Sequence, residues 1–140
     1  MAGRPPGAPP VSSLRLVSLV SGLYDVALGL TLLTAAGPMS ALFGVPPPQP
    51  AVFGDTNGLF LLCIGLGYWL PWSDPQRWRA YLWLMGPLLK GAGAAIFLVD
   101  HFVRQSPAAF LGFAVTDGSL AVWTLWALLA SRRAATRGGP

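Results

Sequence analysis

The chain has 140 residues, of which 54% are hydrophobic and only 10% charged. A soluble domain carries about 25% charged residues, and a chain this short cannot bury so much apolar surface. These values exclude a disordered chain and argue against a soluble globule. The net charge of +4 does not indicate nucleic-acid binding, because the basic residues flank apolar segments. The composition therefore predicts an integral membrane protein surrounded by the lipid bilayer.

Four apolar segments follow a Pro/Gly-rich start and precede a basic end. Each is close to the ~20 residues that a helix needs to cross the hydrocarbon core. Helices satisfy their backbone groups internally, so these segments predict an all-α fold, a four-helix transmembrane bundle. The predicted organisation is a disordered segment over residues 1–10, a membrane domain over 11–130 with helices at 11–36, 53–70, 80–103 and 108–130, and a basic tail over 131–140.

The distribution of arginine predicts that the N and C termini both lie on the cytoplasmic side. With the N-terminus inside, only Arg104 lies outside, and an excess of basic residues is typical of cytoplasmic loops. The arginines placed inside are Arg4, Arg15, Arg77, Arg79, Arg132, Arg133 and Arg137. The six tryptophans are expected at the same interface, where an amphipathic indole is stable.

The composition offers little for redox or metal chemistry. The single cysteine, Cys63, excludes an internal disulfide and a redox-active cysteine pair. One histidine and no glutamate leave few metal ligands. We therefore predict no metal site and no cofactor. No catalytic motif is visible, which points away from an enzyme without excluding one.

Three ionisable residues lie near the centres of predicted helices, namely Asp25, Lys90 and Asp117. A lone charge at this depth costs at least about 2.5–3.5 kcal/mol. Burying the three together lowers that cost, with Lys90 between both carboxylates or paired with one while the other is protonated. Asp117 is the first expected partner, because consecutive segments joined by a short loop are antiparallel neighbours.

This buried polar cluster is the candidate ligand or proton site, and three interpretations of it stay open. It is a structural ion pair that fixes helix register, a proton-coupled or polar-ligand pocket, or a docking point for a charged partner subunit.

Secondary candidates lie near the outer ends of segments two and three. Asp55 and Asn57 are close to the start of segment two, where Asp55 is alternatively the helix N-cap. Asp100 and His101 lie at the end of segment three and predict a solvated interfacial cluster. His101 is also a hypothetical proton relay toward the buried lysine.

Small residues at helical spacing predict which faces pack together, because close backbone approach supplies association energy in lipid. The residues expected to face neighbouring helices are Ser18, Gly22, Gly29, Gly86 and Gly93. Pro87 removes a backbone donor and is expected to kink the third helix just before the buried lysine.

The order of these features resembles the small four-helix bacterial membrane proteins grouped as DoxX-like. The residues that carry the resemblance are LYDVALGLTLL, LFGVPPP, GDTNGLFLLCIGLGYWL, DPQRWRAYLWLMGPLLKGAGA and VTDGSLAVW. The resemblance implies the cytoplasmic (inner) membrane of a bacterium. Some members are described as small subunits of quinone-linked oxidoreductases, but no catalytic residue transfers to this chain.

Three functions are open at this stage. The first is a small membrane protein without catalytic activity, present as a homo-oligomer or as an accessory subunit of a larger membrane complex. The second is a proton-coupled carrier built around the buried charges. The third is a membrane enzyme that acts on a quinone- or sterol-like hydrophobic substrate, with an Asp/Lys pair for acid–base work.

Overall fold

The computed structural model describes residues 11–137, with side chains described as far as residue 133. The regular elements in this range are all helical. They are α1 (Val11–Leu42), α2 (Val52–Gly67), α3 (Trp69–Ser73), α4 (Arg79–Trp83), a π-helical segment (Leu84–Lys90), α5 (Gly91–Arg104), a short 3-10 turn (Ala108–Phe110) and α6 (Leu111–Arg137). The predicted disordered segment 1–10 and the last three residues of the predicted tail lie outside the described residues.

Three of the helical stretches are long and apolar enough to cross a membrane, namely Val11–Leu42, Arg79–Arg104 and Ala108–Arg133. The predicted all-α fold with membrane-spanning helices is confirmed at this level. The second apolar segment forms the 16-residue helix α2, which is followed by the five-residue helix α3. α1 packs along α2, and α5 packs along α6. We call residues 11–73 the first hairpin and residues 79–137 the second hairpin.

Two helices extend beyond the ends expected from sequence. α1 continues to Leu42 instead of ending at Ala36, because the expected break is a kink inside the helix. Ala35 leaves the helical conformation (φ −140°, ψ 31°), so Pro38 lies in the first turn of the resumed helix. A proline there removes no intrahelical hydrogen bond. α6 continues past Ala130 to Arg137.

Glycines join the two helices of the first hairpin, as predicted from the small residues of α1. A Cβ at Gly22 would lie 3.0 Å from the carbonyl oxygen of Gly65. A Cβ at Gly29 would lie 2.7 Å from the carbonyl oxygen of Gly58. Because the helices are antiparallel, these pairs bring the backbones together at two levels, which is how helices associate in lipid. Ser18 is also fully buried, and its hydroxyl donates to the carbonyl of Leu14 (2.6 Å).

The second hairpin contains the local departure expected at Pro87. The chain there forms a π-helical segment from Leu84 to Lys90 rather than a regular α-helix. Gly86, one residue before the proline, lies against α6, where an added Cβ would be 2.5 Å from Cγ2 of Thr124. Close packing at Gly86 and the missing donor at Pro87 together account for the wider turn.

One end of the bundle, which we call the basic end, is where α1, α3, α4 and α6 meet. A cluster of five fully or almost fully buried side chains fills it, namely Leu14, Tyr68, Leu82, Ala127 and Leu128. Two arginine side chains donate hydrogen bonds to backbone carbonyls of distant segments at this end. Arg15 donates to the carbonyl of Ser73 (3.2 Å), and Arg79 donates to the carbonyl of Leu128. This end of the bundle is therefore closely packed.

Candidate functional site

The three ionisable residues predicted at the helix centres form one contact cluster, which we call the charged triad. Lys90 Nζ lies 2.6 Å from Asp25 Oδ1 and 3.5 Å from Asp117 Oδ1. Asp25 is 2% exposed and Lys90 4% exposed, while Asp117 is half-buried. The predicted contact between Lys90 and the aspartates is confirmed.

The order of the two carboxylates differs from the expectation. Asp117 was the first expected partner of Lys90, but the shorter contact is to Asp25 of α1. Asp117 lies beside Gly93, where an added Cβ would be 3.4 Å from Asp117 Oδ2. Asp117 therefore lies at the height of Gly93, almost one helical turn beyond Lys90. The lysine side chain extends to Asp25 on α1 instead. The lysine links the two hairpins.

Two polar neighbours of the triad were not singled out from sequence as part of the site. The ring of Tyr24 lies 4.9 Å from Lys90 Nζ, within the range of a cation–π contact. The Tyr24 hydroxyl lies 2.9 Å from the hydroxyl oxygen of Thr116. Each residue directly precedes an aspartate of the triad in sequence, and that adjacency was the signal available.

The π-helical segment places the lysine. Lys90 is its last residue, and the α-helical hydrogen-bond pattern resumes at Gly91. A π turn carries an extra residue relative to an α turn, so it changes the direction in which the following side chains point. Pro87 and Gly86 thus affect the site from within the π-helical segment, where the near neighbour of Gly86 is Thr124.

A cavity of about 490 Å³ lies between the two hairpins, and the triad forms part of its wall. Its polar lining residues are Tyr24, Asp25, Asn57, Lys90 and Asp117, and the others are apolar. Met39 and Phe97 also line it, so the cavity extends from the triad away from the basic end. The basic end of the molecule is therefore closely packed, and the half beyond the triad contains the cavity.

Aromatic rings form the wall of the cavity farthest from the basic end. Phe97 and Phe113 stack with ring centroids 5.3 Å apart, and Phe110 lies 6.3 Å from each of them. Phe43, in the connection after α1, lies 5.2 Å from both Phe110 and Phe113. This phenylalanine cluster brings the two hairpins into contact at the end of the cavity farthest from the basic end.

Toward the basic end, two tyrosines pack beside the cavity. The Tyr81 hydroxyl donates to the carbonyl of Ile64 (2.6 Å), a residue that lines the cavity. The ring of Tyr81 makes an edge contact with Tyr68, which is 1% exposed (centroids 5.3 Å apart). These contacts separate the charged triad from the basic end.

The secondary candidates lie apart from the triad, and Asn57 alone of the four reaches the cavity wall. Asp55 is exposed in the first turn of α2, and Ala51 occupies the N-cap, so the alternative assignment of Asp55 as the N-cap is wrong. Asp100 pairs with Arg104 (3.2 Å) at the end of α5. The Nδ1–H of His101 donates to the carbonyl of Ser106 (2.8 Å).

His101 is thus engaged with the connection after α5 and is not among the described residues that line the cavity. Its geometry offers no support for a relay to Lys90.

The triad contains one cation and two carboxylates within an otherwise apolar wall. With all three groups ionised, its charge is one negative unit. Such a site favours uptake of one positive charge, either a proton shared with the carboxylates or a cationic group. The apolar remainder of the cavity suits a hydrophobic body, which is the usual composition of a small-molecule pocket.

Comparison with known proteins adds no family to this description. No protein-family model matches the chain, and neither a curated protein nor a solved structure matches it significantly. The resemblance to DoxX-like membrane proteins stays a prediction.

Proposed function

We propose that this protein is an integral membrane protein that binds a lipid-soluble small molecule in the cavity between its hairpins. The observation that carries the proposal is the cavity of about 490 Å³ with buried charges in an apolar wall. This volume falls within the range of about 300–1,000 Å³ that is typical of ligand pockets. The apolar lining accepts the body of the ligand, and the charged triad accepts its polar group.

The arrangement of the triad favours this function over a purely structural ion pair. An ion pair that only fixes helix register needs no adjoining cavity, and its desolvation is best offset by further hydrogen bonds from packed neighbours. Here Asp25, Lys90 and Asp117 all line the same cavity. The lysine also bridges the hairpins across this space, so a ligand in the cavity would contact the group that connects them.

The proposal includes four membrane crossings by a chain located in the cytoplasmic membrane of a bacterium. α2 and α3 are separated only by Tyr68, whose backbone is still in the α region (φ −65°, ψ −13°). From Val52 to Ser73 the two helices cover about 33 Å at 1.5 Å per residue, enough to cross the hydrocarbon core. Arg15 and Arg79 both lie at the basic end, which supports placing that end in the cytoplasm.

Filling the cavity tests the proposed function. Gly93 lines the cavity, and an added Cβ there would meet only Asp117 Oδ2 within 4 Å. A Gly93→Leu side chain therefore enters the cavity. The matched control is Gly112→Leu, because an added Cβ at Gly112 meets nothing within 4 Å and Gly112 does not line the cavity.

The measurement is equilibrium dialysis of a neutral biphenyl, 4-neopentylbiphenyl, against the protein in lipid nanodiscs, with partitioning into empty nanodiscs subtracted. We expect saturable binding to the unmodified protein and to Gly112→Leu, and about tenfold weaker binding to Gly93→Leu because the added side chain occupies part of the cavity. Equal binding to all three proteins, or partitioning without saturation, would contradict the proposed function.

Association with a larger membrane complex or with further copies of the chain is a separate proposal. Its support is an exposed apolar strip on α6, where Val115 is 66% and Val122 68% exposed beside Gly118. Copurification in a mild detergent tests it, since a stable partner would be retained through purification and a detergent-solvated monomer would contradict it.

A further inference from the structure

The two aspartates of the triad are not equivalent, and their difference indicates which one faces a ligand. Asp25 is 2% exposed and receives the short 2.6 Å contact from Lys90. The corresponding contact of Asp117 is 3.5 Å, and its side chain is 16% exposed. Lys90 therefore neutralises Asp25 first, and Asp117 carries the carboxylate that remains available in the cavity.

The charge of the site favours a cation over an anion. An anionic ligand would add a negative charge to a triad that already has a surplus carboxylate. A monocation would bring the total to zero in a cavity with apolar walls, where unbalanced charge is costly. Aromatic side chains, whose ring faces attract cations, also line the cavity at Tyr24, Phe97 and Phe113.

We infer that the cavity selects a lipophilic monocation, an ammonium-type group on an apolar or aromatic body, and that this cation replaces a proton carried by Asp117 in the empty site. This inference rests on the proposed function. In the exchange, the O–H bond of the Asp117 carboxylic acid breaks, and the proton passes to solvent. The carboxylate left behind balances the charge of the bound cation, so the site stays neutral in both states.

The groups around Asp117 are consistent with this exchange. Lys90 approaches from the π-helical segment, and Asp25 and Tyr24 approach from α1, with Tyr68 nearer the basic end. Lys90 is already engaged with Asp25, and the tyrosines are neutral donors or acceptors. Asp117 is therefore the group of this set that can carry a proton while Lys90 keeps its shorter contact, the one to Asp25.

The experiment compares two probes of the same shape. One is (4-phenylbenzyl)trimethylammonium, a permanent cation that has no proton to release. The other is 4-neopentylbiphenyl, its neutral isostere with carbon in place of nitrogen. Binding of each to the full chain in lipid nanodiscs is measured by equilibrium dialysis, and proton release is followed with an indicator dye in weakly buffered solution near pH 7.

We expect the cation to bind about tenfold or more tightly than its isostere, because only the cation replaces the proton and balances the carboxylate. We also expect release of about one proton for each cation bound. The neutral probe should release none.

An Asp117→Asn variant identifies the group that exchanges. It retains the volume of the side chain and is already neutral, so the preference for the cation and the proton release should both disappear while the neutral probe still binds. Asp100→Asn is the matched control, because Asp100 pairs with Arg104 outside the cavity. It should behave like the unmodified protein.

The outcomes separate this inference from the proposed function. If neither probe binds saturably, the proposed function fails and the inference fails with it. If the neutral probe binds as well as the cation, or the cation binds without proton release, the inference fails while the proposed function stands. A cation preference that persists in Asp117→Asn would also overturn the assignment to Asp117.

Discussion

At the scale of single residues, Lys90 is the side chain on which the site depends. It is the only lysine in the chain, and it is 4% exposed between two carboxylates from different hairpins. A buried charge is tolerated only when a partner is within hydrogen-bond distance. Removing the lysine therefore leaves Asp25, which is 2% exposed, without its nearest countercharge.

We expect Lys90→Met to lower the free energy of unfolding in detergent by about 3–5 kcal/mol, the usual effect of breaking a buried pair on one side. The double variant Asp25→Asn/Lys90→Met should recover most of that loss, because no unpaired charge remains. The thermal unfolding midpoint reports both effects.

Arg104→Met supplies the comparison for this prediction. It also breaks an aspartate pair, but the Arg104 side chain is 73% exposed. Exposed pairs contribute about 0–1 kcal/mol, so its unfolding midpoint should change little. A Lys90→Met protein as stable as Arg104→Met would show that the triad is unimportant for folding.

The sequence was sufficient to group the three charged residues but not to predict which aspartate makes the shorter contact with Lys90. The reason is physical. The cost of isolated charge in a membrane is a property of residue type and depth, so Asp25, Lys90 and Asp117 could be grouped from the sequence. The choice of Asp117 as first partner rested on consecutive segments being antiparallel neighbours. The π-helical segment ending at Lys90 and the close approach of Gly93 to Asp117 altered the geometry. Neither feature follows from spacing alone.

At the scale of helices, glycine contacts determine how the first hairpin closes. An added Cβ at Gly29 would lie 2.6 Å from the backbone nitrogen of Leu62 and 2.7 Å from the carbonyl oxygen of Gly58. Backbone atoms cannot move aside as a flexible side chain can. Any larger residue at this position therefore forces α1 and α2 apart.

We expect Gly29→Ala to destabilise the protein by about 1–3 kcal/mol through overpacking. Gly37→Ala is the matched control in the same helix, because an added Cβ at Gly37 meets nothing within 4 Å. It should be neutral or slightly stabilising. The thermal unfolding midpoints of the two variants in one detergent provide the test, and a tolerated Gly29→Ala would contradict the close approach.

Helix identity was predictable from the apolar runs, while helix ends were not. The Gly37–Pro38 pair indicated a break, but the chain kinks at Ala35 and continues to Leu42. A proline is compatible with the first turn of a resumed helix as well as with a loop, so the dipeptide alone does not distinguish them. Packing of the following residues decides between the two.

At the scale of the whole molecule, the two hairpins meet tightly at the basic end and leave a cavity between them beyond it. Leu14, Leu82 and Leu128 are fully buried at the tight end. The phenylalanine cluster closes the far side of the cavity, and Lys90 bridges it. The binding of a ligand between the hairpins would therefore act on the contact that joins them.

The proposed orientation predicts which loops are accessible from each side. In a Cys63→Ala background, we expect a cysteine at Gln105→Cys to react with a membrane-impermeant maleimide added to intact cells. A cysteine at Gln76→Cys should react only after the membrane is opened. Both positions are exposed in the structure, so accessibility of the side chain does not distinguish them. The reverse pattern would invert the topology.

The central claim is that Lys90 and the two aspartates form one buried cluster across the hairpins in a bilayer. The chain contains one lysine and five acidic residues, all aspartate, so labelling with 15Nζ-lysine and 13Cγ-aspartate gives a single nitrogen signal in solid-state NMR. In lipid bilayers we expect strong dipolar dephasing of that signal by carboxyl carbon, reduced more by Asp25→Asn than by Asp117→Asn. A lysine signal without dephasing would contradict the cluster and with it the proposed site.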